Sequence, residues 1–286
     1  MPFDIIPNEL PALPDDLNFE PIREPAYRNG QRVEGKWWVI NPLTDKVIGD
    51  GKRNHKPTNF NSMWENFRKG INLSDLDLSD TTVKFTRVGG GSAMRADIVF
   101  KKYDYKRILG EPMQLKMRVL DSHDQTFKRT ADAMLLRLAC LNGMPSISET
   151  IGFAQKHTLS QNPEKLAEIS SKFPERIEKE VHIMKKMSNI PITIEKVKDF
   201  LSKTVASYKT ISGMKVNQRA LDDAMRTYFS YKMNDNVYRL YNTLTHLSSH
   251  VEGKRGNTDI NRKQLRIETD VENIVRSKDF AELMVA

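Results

Sequence analysis

Three short stretches of this chain alternate apolar and polar or cationic residues with a period of two, and that pattern most narrows what the chain folds into. Val83, Phe85 and Arg87 alternate with Lys84 and Thr86. Ala96, Ile98 and Phe100 alternate with Arg95, Asp97, Val99 and Lys101, and Leu115, Met117 and Val119 with Lys116 and Arg118. Successive side chains of an extended strand point to opposite faces, so these segments read as antiparallel strands, apolar beneath and basic above. Gly89-Gly90-Gly91-Ser92 reads as the permissive turn of a hairpin. A fourth strand is expected over 126–141, with a break or bulge.

Upstream, Lys36-Trp37-Trp38-Val39-Ile40 and Lys46-Val47-Ile48-Gly49 flank an Asn41-Pro42 turn, which predicts a second hairpin. Phe60, Met63, Trp64 and Phe67 then fall at i, i+3, i+4 and i+7. That is one face of an amphipathic helix, predicted to stop at Gly70 as its C-cap. Prolines at 2, 7, 11, 14, 21 and 25 make the N-terminal residues an extended arm. Such an arm packs on its own chain or on a neighbouring subunit.

After Gly143-Met144-Pro145 the period becomes helical. Asn162-Pro163 starts one helix and Phe173-Pro174 interrupts it. Ile177, Val181, Met184 and Met187 continue an apolar stripe, and Thr193 caps a helix bearing Val197 and Leu201. Further stripes run through Leu221, Ala224 and Tyr228, and through Val237, Leu240, Tyr241, Leu244 and Leu247, before a Gly- and charge-rich loop at 252–257. The expected fold class is therefore α+β, an antiparallel sheet with a packed helix in the N-terminal half and a mainly helical C-terminal half. The expected organisation is an arm over 1–30, an α+β sheet domain over 31–144 and a helical region over 145–286.

The chain of 286 residues carries one cysteine, which excludes an internal disulfide. Cys140 sits among Leu138, Ala139 and Leu141 and reads as buried. No leader pattern or long apolar run points to a membrane, so the expected location is the cytoplasm. The formal net charge is +8, and residues 81–144 hold twelve Lys/Arg against six Asp/Glu. Such a bias fits either a face that meets a polyanion or a solvated basic face.

The residues expected to contact phosphate are Arg95, Lys101, Lys102, Lys106, Arg107, Lys116, Arg118, Lys128 and Arg129. Trp37, Trp38, Tyr103 and Tyr105 lie beside basic residues and read either as stacking platforms for bases or as core, with core packing preferred for the tryptophans. Asp121-Ser122-His123-Asp124 holds the letters of a catalytic triad, but adjacent residues do not supply its geometry. The segment reads as a turn whose aspartates bond nearby backbone N–H groups, with divalent-ion binding as the alternative. His246 and His250 are i, i+4 on a helix and read as packed or surface residues. No motif calls for a cofactor or a resident metal.

The run from Val119 to Asp124, followed by Arg137, Cys140 and Asn142 in an Arg-x-x-Cys-x-Asn spacing, resembles a phage/plasmid-like family known as domain of unknown function 932. Its members carry a Ser-His-Asp-Gly turn, and Gln125 stands where that glycine would be. The resemblance extends to Val47-Ile48-Gly49 and to 54–60. It implies a mobile-element setting and a fold of sheet plus helices, and no activity. A helix followed by a basic hairpin is also similar, in topology alone, to phage single-strand annealing recombinases of the RecT and Red-beta kind.

The expected function is a single-stranded DNA-binding or annealing protein of phage replication and recombination, a homo-oligomer acting without covalent catalysis or cofactor. A structural or host-interaction protein, docking through its arm and helices, is the alternative from another class. A metal-dependent nuclease would need Asp97, Asp121, His123 and Asp124 to converge.

Overall fold

The structure, a computed structural model, describes residues 9–52, 57, 59–108, 111–124, 126–138, 142–144, 152–155, 163–210, 213–250 and 260–285. Cys140 and the loop at 252–257 lie outside the described residues. The chain forms two compact units: Met1–Asp104, Gln114–Met134 and Thr150–Arg176 make the first, and Tyr105–Met113, Leu135–Glu149 and Ile177–Ala286 the second.

The first unit opens with β1 (Ile22–Arg28), β2 (Gln31–Asn41) and β3 (Lys46–Lys52), a three-stranded antiparallel sheet with β2 in the centre. The expected hairpin is β2–β3. β1 is an element that the proline spacing concealed: it lies at the sheet edge, where Pro25 is tolerated because an edge strand need not donate every N–H. Ahead of it the arm packs on its own chain. Leu10, Leu13, Leu17 and Phe19 are buried, the Trp64 indole N–H donates to the Pro11 carbonyl at 2.8 Å, and Arg68 Nη1 donates to the Leu10 carbonyl at 3.3 Å.

Helix α1 (Phe60–Asn72) begins at Asn59, whose side chain accepts from the Asn61 N–H at 2.8 Å. It buries Phe60, Met63, Trp64 and Phe67, as the i, i+3, i+4, i+7 spacing requires. Gly70 does not end it. Gly70 is buried inside the last turn, and the helix runs on through buried Ile71 to a cap at Leu73.

The second sheet runs β4 (Thr81–Val88), β5 (Ala93–Ile108), β6 (Glu111–Ser122), β7 (Arg129–Arg137) and β8 (Asn142–Met144) in spatial order, with β9 (Gly152–Gln155) also pairing β7. β4 and β5 form the expected hairpin, in register from Thr81 opposite Phe100 to Val88 opposite Ala93. Gly89, Gly90 and Gly91 all have positive φ (60°, 67° and 105°), a run that side chains would strain. Of the fourth strand expected over 126–141, Arg129–Arg137 forms β7 and 139–141 lie outside the described residues, while β8 follows beyond it.

The C-terminal half supplies α2 (Pro163–Ser171), α3 (Phe173–Ser188), α4 (Ile194–Lys203), α5 (Gln218–Ser230), α6 (Val237–Ser249), α7 (Ile260–Val275) and α8 (Lys278–Leu283), broken by the small hairpin of β10 (Ser207–Thr210) and β11 (Gly213–Val216). Thr193 caps α4 as expected, and Asn217 and Asn236 cap α5 and α6. α6 is buried on nearly every side, including Leu240, Tyr241, Asn242, Thr243 and Leu244. Its entry is clamped: Arg239 donates to Asp235 at 2.6 Å and to the Tyr228 carbonyl at 2.9 Å, while the Tyr228 hydroxyl donates to Asp235 at 3.1 Å. Burial first, then the Asp235 hydrogen bond and charge, hold the Tyr228 hydroxyl well above its ordinary value.

Candidate nucleic-acid interface

The alternation in β5 and β6 does put cations on one face of the sheet, but that face is not a free basic surface. Lys116 and Arg118 are only 8% and 5% exposed. Lys116 Nζ lies 2.8 Å from Asp97 Oδ1, Arg95 Nε donates to Asp97 Oδ2 at 2.7 Å, and Arg118 Nη2 donates to Asp132 Oδ2 at 3.2 Å. The same period that lines up the cations lines up Asp97 on β5 and Asp132 on β7 beside them. The result is a row of interior ion pairs across three strands, with Met94, Ala96, Ile98, Phe100, Leu115 and Met117 buried beneath it. Burial alone would push the Asp97 carboxyl up, but the charges and hydrogen bonds of Lys116 and Arg95 outweigh it and hold Asp97 at about 2.

Arg129 is likewise corrected from a surface contact to an interior one. It is 4% exposed and holds Asp121 Oδ2 through both Nε and Nη2 at 3.0 Å. Of the other expected phosphate contacts, Lys101 is partly exposed and sits 3.1 Å from Asp80, while Lys102 and Lys128 are exposed. The side chains of Lys106 and Arg107 lie outside the described residues.

The turn after β6 is built as a turn. Asp121 accepts from the Ser122 N–H at 2.8 Å, Ser122 Oγ exchanges hydrogen bonds with Phe127 N–H and C=O at 3.0 and 2.9 Å, and Asp124 accepts from the Thr126 N–H at 3.0 Å. The His123 ring is fully buried, stacked on Phe60 with centroids 3.7 Å apart and tilted against Phe19 at 5.2 Å. Asp97 is engaged by Arg95 and Lys116, Asp121 by Arg129, so the carboxylates of the nuclease reading do not converge. Among the described residues no group of three or more His, Cys, Asp or Glu side chains is placed to hold a metal ion. His246 and His250 stack at 4.1 Å, and burial first, then the charges of His250 and Arg137, push the His246 imidazole down.

A partly exposed basic and aromatic surface occurs on the three-stranded sheet, where Arg32 is exposed and Arg23, which also donates to the Lys52 carbonyl at 3.3 Å, is half-buried. In β2 the adjacent Trp37 and Trp38 point to opposite faces. Trp37 lies between Pro25 of β1 and Gly51 of β3. Arg23 stands over the Trp37 ring at 4.9 Å from its centroid, and Arg32 at 6.0 Å, both within cation–π range. Trp38 lies instead between Glu24 and Asp50, and Asp50 is paired with Lys36 at 3.1 Å. One face of the strand thus offers an indole between guanidinium groups, and the other an indole between carboxylates. Both rings are half-buried, so neither is core in the way Trp64 is. Sequence reasoning missed Arg23 and Arg32, because the strand β1 and the register that bring them over Trp37 were hidden by the prolines.

Residues 81–269 match a family model described as a domain of unknown function, DUF932. The chain belongs to that family. No curated protein and no solved structure matches it. The DUF932 match begins at the first residue of β4 and ends within α7, so the interior ion pairs and the hairpin β10–β11 fall inside it. The Trp37 surface lies ahead of it. Among the described residues no helix is long and apolar enough to cross a membrane.

Proposed function

We propose that this chain binds single-stranded nucleic acid, without covalent chemistry, through the Trp37 face of its three-stranded sheet. The observation that carries the reading is the indole of Trp37 flanked by Arg23 and Arg32. An aromatic face stacks on any base, and guanidinium groups beside it neutralise the neighbouring phosphates, so affinity arises without sequence readout. Exposed Arg28 at the end of β1 adds to the positive field. The Trp38 face sets Glu24 and Asp50 beside its ring and Lys36 opposite Lys52, with Lys36 paired to Asp50, so its charges balance and the surface gains a sidedness.

Strand annealing in replication or recombination of a phage-type element, by a homo-oligomer, belongs to the same proposal and rests on the net charge of +8 together with the Trp37 face. The test is anisotropy of a labelled oligothymidylate titrated with the full chain at several salt concentrations. Wild type is expected to bind with an affinity that falls steeply as salt rises, and Arg23→Glu/Arg32→Glu is expected to abolish binding at moderate salt while the protein stays folded. Salt-independent binding, or equal binding by the double variant, overturns the proposal.

A further inference from the structure

Near the tip of the hairpin β1–β2 a second aromatic ring stands in solvent: Tyr27 is 48% exposed. The tip is the two-residue turn Asn29-Gly30, with φ of 52° and 76°, flanked by the pair Arg28 and Gln31. Two left-handed residues in succession give the turn whose twist matches that of paired strands. Tyr27 is thereby fixed one pair from the turn, directly opposite Arg32.

Cross-strand partners share a face of the sheet, and so do residues two apart on one strand. Tyr27 therefore lies on the face of Arg32 and of Pro25, and Pro25 is the partner of Trp37. Ala26 between them is buried, as the alternation requires. β2 bulges between Arg32 and Trp37, where Gly35 has a φ of 71°, and across that bulge the Arg32 guanidinium still lies 6.0 Å from the centroid of the Trp37 ring. The face thus carries a phenol, a guanidinium and an indole in that order. Diagonal neighbours of an antiparallel pair lie about 7 to 8 Å apart, whereas bases in a duplex rise about 3.4 Å per step. Successive bases on two rings so spaced are held apart instead of stacked on one another.

We propose that Tyr27 is a second base platform, so that Tyr27 and Trp37 take two successive bases of one strand with the Arg32 guanidinium between them. This rests on single-strand binding at Trp37 and narrows the ligand to a strand of two or more unpaired nucleotides. A mononucleotide fills half of the site, and the bases of a duplex, already stacked, offer it no free face. Exposed Glu34 stands in the bulge and offsets part of the positive charge there, so the second ring, and not charge, separates this site from a general attraction to phosphate.

The test uses the full chain and a labelled oligothymidylate, competed by thymidine monophosphate, by the thymidine dinucleotide and by a blunt DNA duplex, with Tyr27→Ala, Tyr27→Phe and Trp37→Ala as variants. The Tyr27 ring is half in solvent, so thermal melting is expected to be nearly unchanged. Tyr27→Ala is expected to lose about tenfold or more in oligothymidylate affinity, the worth of one stacked base, and Tyr27→Phe, which keeps the ring face, to bind as wild type does. In wild type the dinucleotide is expected to compete about tenfold or more better than the monophosphate, and Tyr27→Ala is expected to erase that advantage. Wild-type affinity in Tyr27→Ala beside a loss in Trp37→Ala would overturn the second platform and leave the first standing. A loss in Tyr27→Phe equal to that in Tyr27→Ala would assign the effect to the hydroxyl and overturn the platform too, as would a duplex that competes as well as the single strand. Oligothymidylate bound with no loss in either alanine variant would remove both platforms.

Discussion

Cations on the six-stranded sheet and cations on the three-stranded sheet look alike in the sequence, yet the structure uses them in opposite ways. Lys116 and Arg118 sit inside, held by Asp97 and Asp132. Arg23 and Arg32 sit over an indole whose strand neighbours are proline and glycine. What separates the two sets is the identity of the residue one strand away. A cation beside a carboxylate in the interior holds strands together, whereas a cation stacked on a half-buried indole keeps its charge beside an aromatic face.

Breaking the interior set is expected to have the largest effect. Arg118→Met removes the partner of Asp132 and leaves a buried carboxylate uncompensated, at a cost of about 3 to 5 kcal/mol in chemical denaturation. The double change Arg118→Met/Asp132→Leu is expected to recover much of that loss, because the uncompensated charge goes with it. If Arg118→Met instead left stability unchanged and weakened oligonucleotide binding, the comparison would be reversed.

Acid sharpens the same contrast. Asp97 is held at about 2, below the ordinary 3.8, so the folded state binds the proton less readily than the unfolded one. The stability this confers is fully present above pH 4 and is lost as pH falls from about 4 towards 2, a contribution of about 2 kcal/mol. Denaturation midpoints across that range are expected to drop less in Asp97→Asn than in wild type, from a lower starting stability.

On the exposed sheet, Trp37→Ala is expected to cost about 1 to 3 kcal/mol of single-strand affinity, the worth of one stacked base, and to leave the melting temperature nearly unchanged. Trp38→Ala, between Glu24 and Asp50, is expected to change that affinity least of all. Equal losses from the two alanine variants would remove the sidedness on which the reading stands. Gly49→Ala tests the junction beneath: a methyl there would run into the Asp124 side chain, and a loss of about 1 to 3 kcal/mol in stability is expected.

Much of the fold was legible because local chemistry and tertiary packing agree. Period-two alternation located β4, β5 and β6, helical spacing located α1, and Thr193 marked the start of α4. The small hairpin β10–β11 was missed within the helical half, because no alternating apolar face marks a ribbon that buries neither side. Gly70 misled because a glycine also fits where a helix packs closely, and burial of Gly70 with Ile71 outweighed its tendency to end a helix. The site was less legible. Composition counts Lys116 and Arg118 as basic surface, and only strand order shows that Asp97 and Asp132 stand next to them. The register that brings Arg23 to Trp37 depends on β1, whose Pro25 reads locally as a reason against a strand.

The central claim is that Trp37, and not the cationic row of β5 and β6, meets the ligand. Its most direct test is the emission of Trp37 in a Trp38→Phe background, where Trp64 is buried in the interior, as oligothymidylate is added and salt is then raised. Saturable quenching that salt reverses is the expected result. Emission that stays constant while the oligonucleotide is demonstrably bound would contradict the claim and place the contact elsewhere on the molecule.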